Sequence, residues 1–108
     1  MTYMEVVHRV RDVFEYADVR NIFEHIAIQV NIQGEAEGTF YFEIAERQMT
    51  VEPYDYYDRD GIITTTAQVL IDMCDMKFTF EDAYKRGLIK YEGDERKLRA
   101  CINNIVVE

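Results

Sequence analysis

The chain has 108 residues, 48% of them hydrophobic and only one of them proline. It is long enough to bury roughly two-thirds of its unfolded surface as a single domain, 1–108, without metal or disulfide support, and too apolar to be disordered. With 21 acidic against 12 basic residues the net charge is −9, which repels phosphate backbones and anionic lipid surfaces and makes nucleic acid a poor partner.

Residues 2–17 place Tyr3, Met4, Val7, Val10 and Phe14 on one stripe at spacings of three and four, with Val6, Val13 and Ala17 beside it. The spacing predicts an amphipathic helix of about four turns. The charges at Glu5, Arg9, Arg11 and Asp12 exclude a signal-peptide core there. No later run approaches the length of a membrane span, so a soluble, cytoplasmic protein without stable membrane insertion is expected. Asp18 can cap a shorter helix through Val19, Ile22 and Phe23, ending near His25; the two segments also fit one kinked helix.

From Ile26 the period changes to two. Ile26, Ile28, Val30 and Ile32 alternate with polar or small residues, as do Phe40, Phe42 and Ile44 in 39–45 and Met49 and Val51 in 49–53. These are three strands buried on one face and joined by short turns, an antiparallel meander. The stretch 54–61, YDYYDRDG, reads as a loop, and 62–66 as a β-branched fourth strand.

Apolar residues return at helical spacing in Val69, Leu70 and Met73, capped by Thr66 or a neighbour. A second short helix starts at Phe80, because Thr79 and Asp82 form a capping box, and Gly87 suits the left-handed residue that closes it. Leu88 to Glu92 supplies a fifth strand with Ile89 and Tyr91 on one face. Asp94 then caps a last helix carrying Leu98, Cys101, Ile102 and Ile105.

Chemistry-bearing patterns are sparse. The sequence has no serine. His8 and His25 each lack a ligand partner at metal spacing, and Cys74 and Cys101 read as buried, reduced thiols. Aligned to a calcium loop, Asp58, Asp60 and Gly61 leave Tyr56 and Ala67 where the first and last carboxylates belong. Gly34 and Gly38 lack the ending of a phosphate loop. The basic group Lys85, Arg86, Lys90, Arg96, Lys97 and Arg99 reads as a solvated helix face. No catalytic residue, metal site or cofactor is expected. What remains is apolar: Phe40, Phe42 and Ile44 facing Leu70, Met73, Phe80 and Tyr84, with the stripe of the last helix, Leu98 and Ile102, beside them.

Over about residues 25–105 the chain resembles the sterol carrier protein type two family. The resemblance rests on the paired strands GTFYFEIAE and QMTVEPY, the helix around Val69, Leu70 and Met73, and the block Ala83-Tyr84-x-x-Gly87-x-Ile89-x-Tyr91-x-Gly93-Asp94. It implies a five-stranded sheet covered on one face by helices, with an apolar tunnel between the two layers for fatty acyl chains or sterols. Leu70, Ala83, Tyr84, Ile89 and Tyr91 would lie in or beside that tunnel, and Gly87 and Gly93 would fix turns. Two positions depart from the pattern: Met76 stands for a glycine before the second lid helix, and Leu88 for a lysine after Gly87.

The fold expected is therefore α+β, a five-stranded mixed, mainly antiparallel sheet with helices on one face, in the order α-β-β-β-β-α-α-β-α. The function expected is non-enzymatic carriage of an apolar molecule or lipid. The alternative is a self-filled module used for homodimerisation or as an accessory subunit. An empty tunnel of about 300 Å³ would cost roughly 7 kcal/mol, so either a lipid or the protein's own side chains must fill it.

Overall fold

The structure is a computed structural model that describes residues 1–107. Its elements run α1 (Tyr3–Phe14), β1 (Ile26–Gln33), β2 (Gly38–Ala45), β3 (Gln48–Glu52), β4 (Gly61–Thr66), α2 (Ala67–Cys74), α3 (Phe80–Lys85), β5 (Lys90–Gly93) and α4 (Glu95–Asn104). The five strands form one sheet in the order β3-β2-β1-β4-β5. Every pairing is antiparallel except β1 with β4, which is parallel.

Strand alternation sorts the side chains as the period-two pattern predicts in β2 and β3, whereas β1, expected to be buried on one face, is buried on both from Ile26 to Val30, Ala27 and Gln29 included. Cross-strand neighbours such as Val30 and Phe40, Phe42 and Val51, and Val30 and Ile63 share the inner face, where they are buried against the helices. The outer face carries Gln29, Asn31, Thr39, Tyr41 and Glu43. A polar chain crosses it, in which Gln29 Nε2 and Thr39 Oγ1 both donate to Asn31 Oδ1, at 3.0 and 3.1 Å.

Helix α1 starts at a capping box in which Thr2 and Glu5 satisfy each other's backbone amides. It lies against the edge strand β3 and holds it there. Glu15 accepts from the Val51 amide at 2.7 Å, and Arg11 donates two hydrogen bonds to the Val51 carbonyl at 2.9 and 3.0 Å.

Three expectations need correction. The first helix ends at Phe14 rather than residue 17, and Met4, assigned to its buried stripe, is exposed. Residues 18–25 form no helix. The Asp18 carboxylate turns back onto the amide and guanidinium of Arg20, while its backbone exchanges two hydrogen bonds with Val106; both geometries compete with a helical start. His25 accordingly sits on a non-helical approach to β1. The fifth strand begins at Lys90, so Ile89 enters the core from the preceding turn.

The capping expectations around the lid are met. Thr66 caps α2, Thr79 and Asp82 form the box that starts α3, and Asp94 accepts from the amides of Arg96 and Lys97. Helices α2 and α3 end in the same way. The amide two residues past the C-cap reaches back into the last turn, Lys77 to Asp72 and Leu88 to Ala83, both at 2.9 Å. This closure needs a left-handed residue. Gly87 supplies it at φ 72°, and Met76 supplies it at φ 61° without glycine's freedom.

Candidate functional site: an apolar cavity and its outer groove

Between the inner face of the sheet and the helices lies a cavity of about 50 Å³ whose lining side chains are all apolar. Six of the residues expected at a tunnel meet there: Phe40 and Phe42 from β2, Leu70 and Met73 from α2, Phe80 from α3, and Ile89. Others join them that the sequence marked only as inward-facing: Val30, Met49 and Val51 from the sheet, Val10 and Phe14 from α1, and Ile105; Ile63 of β4, to which the sequence assigned no face, lies there too. Strand parity and the α1 stripe were the available signals for these.

The other six expected residues lie off the cavity. Ile44 and Ala83 are fully buried in the core, as is Leu98 on α4; Tyr84 and Ile102 pack half-buried against it. Tyr91 shares the inner face with its cross-strand neighbour Ile63, but its ring is drawn over Gly61, where no side chain stands in the way. Its hydroxyl donates to the Asp94 carbonyl at 2.8 Å, and burial pushes its pKa up to about 12.

A second, wider space of about 300 Å³ adjoins the cavity. The two share Phe14, Met73, Phe80 and Ile105. The outer groove is otherwise walled by the α2–α3 connection (Met76, Lys77, Phe78 and Thr79), by Asp82, and by Val107 of the C-terminal segment. That segment is pinned by the paired hydrogen bonds between Asp18 and Val106, at 2.8 and 2.9 Å.

The polar groups lie elsewhere. On the outer face Glu43 accepts from the Tyr56 hydroxyl at 3.2 Å and meets His25 Nε2 at 2.5 Å, and the Tyr56 ring stacks on Tyr41 at 4.7 Å. This ties the 54–60 loop onto the sheet. Burial raises the Cys74 thiol to about 11 and the Cys101 thiol to about 12, so both are inert as nucleophiles at neutral pH. Among the described residues no three His, Cys, Asp or Glu converge on a common point that could hold a metal ion, and no helix is long and apolar enough to cross a membrane. Much of the basic group is paired: Lys85 with Glu81, Arg96 with Glu24, Lys97 with Asp60.

An α+β domain with one apolar cavity between its layers is the class defined by this geometry. No protein-family model matches the chain, and no curated protein matches it in sequence. Solved structures do. The palmitated SCP2L2 of Aedes aegypti is 20% identical with a TM-score of 0.64, each chain covered to 98%. A ubiquinone synthesis protein, UbiJ-SCP2, is 15% identical with a TM-score of 0.63 over 94% of this chain and 90% of its own. A double mutant of the sec-alkyl sulfatase PisA1 gives a TM-score of 0.65 at 15% identity over 83% of this chain. The matched region is only 14% of that sulfatase chain. The fold is of the sterol carrier protein 2 type.

Proposed function

We propose that this domain binds and carries an apolar molecule of the fatty-acid, acyl-chain or sterol-like class, without catalysing a reaction. The observation that carries the reading is the cavity with apolar walls that meets a wider groove at four shared side chains. A domain of the same fold was solved palmitated, which supports a hydrocarbon occupant. The inert thiols, and the placement of the His25–Glu43 pair on the outer face, support a role without chemistry.

The space is narrow. At about 50 Å³ the cavity is a third of the roughly 150 Å³ that holds one benzene in an engineered core. Left dry it costs only about 1 kcal/mol at about 24 cal/mol per Å³. A ligand must therefore widen it by moving side chains, and Met49 and Met73 are the most adaptable of those present. Burying about twelve methylenes would yield on the order of 10 kcal/mol; association removes at least about 4, and at most about 6 kcal/mol remains, binding in the tens of micromolar.

The same small volume favours a second reading, a self-filled domain that serves as a dimerisation or accessory module. Native mass spectrometry of protein purified from cells, with lipid extraction and a fluorescent fatty-acid uptake assay, separates the two. Carriage predicts a lipid-mass adduct and saturable uptake. A ligand-free spectrum together with no uptake leaves the self-filled module.

A further inference from the structure

We infer that the groove between the α2–α3 connection and residues 105–107 is the port of the cavity, that Phe14, Met73, Phe80 and Ile105 are its gate, and that this gate admits a flexible single chain but not a fused-ring molecule. This rests on the carrier reading, narrows its ligand to the fatty-acid or acyl-chain class by striking out the sterol-like one, and adds where the ligand passes.

The four residues are common to the inner and outer spaces, so they stand where those two meet. They come from four places in the chain with different freedom. Phe14 ends α1, and Met73 lies in the last turn of α2. Phe80 opens α3 and is only half-buried. Ile105 sits where α4 gives way to extended backbone, at φ −87° and ψ 114°. Phe80 and Ile105 can therefore turn outward into the groove, which has six times the room of the cavity, with no helix having to move.

The groove also suits the end of an amphiphile. Beyond the gate its walls include Lys77, Thr79 and Asp82, whereas the cavity offers a head group no polar side chain at all. A chain would lie tail inward with its polar end among these residues.

Shape follows from volume. A linear chain can thread in one methylene at a time as Met49 and Met73 change rotamer, each step filling the space it opens. A rigid ring system needs its whole width at once, which forces apart a close-packed sheet and helix layer; overpacking of that kind is strongly unfavourable.

Stopped-flow uptake and release of a naturally fluorescent polyene fatty acid and of a fluorescent sterol test this in the wild type, Phe80→Ala, Ile105→Ala and Phe23→Ala. Phe23 lines neither space and serves as the control. Wild type should take up the fatty acid and not the sterol. Phe80→Ala and Ile105→Ala should speed both uptake and release by roughly fivefold or more, with Phe23→Ala unchanged. Circular dichroism checks folding, and Phe80→Leu, which keeps the core filled, should shift the rates in the same direction by less. Wild-type fatty-acid binding with unaltered rates in the Phe80 and Ile105 variants would place the port elsewhere and leave carriage standing. Equal sterol uptake by the wild type overturns the shape rule. Uptake of neither probe ends the carrier reading and the port with it.

Discussion

The ring of Tyr91 occupies the space that a side chain on Gly61 would fill. The two are diagonal neighbours across the β4–β5 pair, since Gly61 faces Gly93 and Tyr91 faces Ile63. Gly61→Ala should therefore displace the ring, break its hydrogen bond to Asp94 and lower stability by about 1–3 kcal/mol. Adding Tyr91→Leu should recover part of that loss, so a double-mutant cycle in urea reads a coupling between the two sites.

Asp60 predicts a pH dependence. Burial alone would raise its pKa, but the Lys97 ammonium and the Ala27 amide, each 2.8 Å from a carboxylate oxygen, outweigh burial and hold it below the usual value. A depressed folded-state value stabilises the protein fully above the unfolded pKa of about 3.9, and that contribution is lost as pH falls through the folded value. Asp60→Asn should flatten the stability curve below about pH 4 and cost about 2 kcal/mol at pH 7. Denaturant midpoints between pH 2 and 7 for the two proteins check both statements.

Met76 offers a gain. It is held left-handed at φ 61° and is 60% exposed, so its backbone strain is offset by little burial. Met76→Gly should stabilise by about 0.5–1 kcal/mol, the left-handed penalty less glycine's added chain entropy. A rise in thermal midpoint confirms it. No change, or a fall, would mean the Met76 side chain contributes more on the groove wall than its exposure suggests.

The β2–β3 hairpin turns on Glu46 and Arg47, both at positive φ (52° and 64°). Such two-residue turns favour Asn-Gly, so Glu46→Asn should stabilise by a few tenths to about 1 kcal/mol. Arg47→Gly should be near neutral, because the Arg47 guanidinium lies over the Phe23 ring at 4.8 Å, a contact worth about 0.5–1 kcal/mol at an exposed site. In a Phe23→Ala background that offset disappears and Arg47→Gly becomes stabilising. Thermal unfolding of the four proteins reads the difference.

Strand alternation, the α1 stripe and the caps at Thr66, Thr79 and Asp94 were legible in the sequence because each depends on neighbours a few residues away. The 18–25 segment was not. Its apolar spacing suits a helix and Val19 and Ile22 are indeed buried, but the chain is held instead by Val106, a contact far off in sequence. The parallel pairing of β1 with β4 is equally non-local. At the cavity, inward positions could be read from parity, yet which of them border open space depends on how Phe40, Met49, Met73 and Phe80 fill the gap. Tyr91 illustrates this: its face was correctly read, but the absence of a side chain at Gly61 pulls its ring aside.

The grip of Arg11 and Glu15 on Val51 has a consequence for assembly. With the middle of β3 already engaged by a helix, a neighbouring molecule meets a plugged margin on that side of the sheet. That plug works against strand-by-strand growth from the β3 side, one of the ways sheet proteins avoid fibre formation.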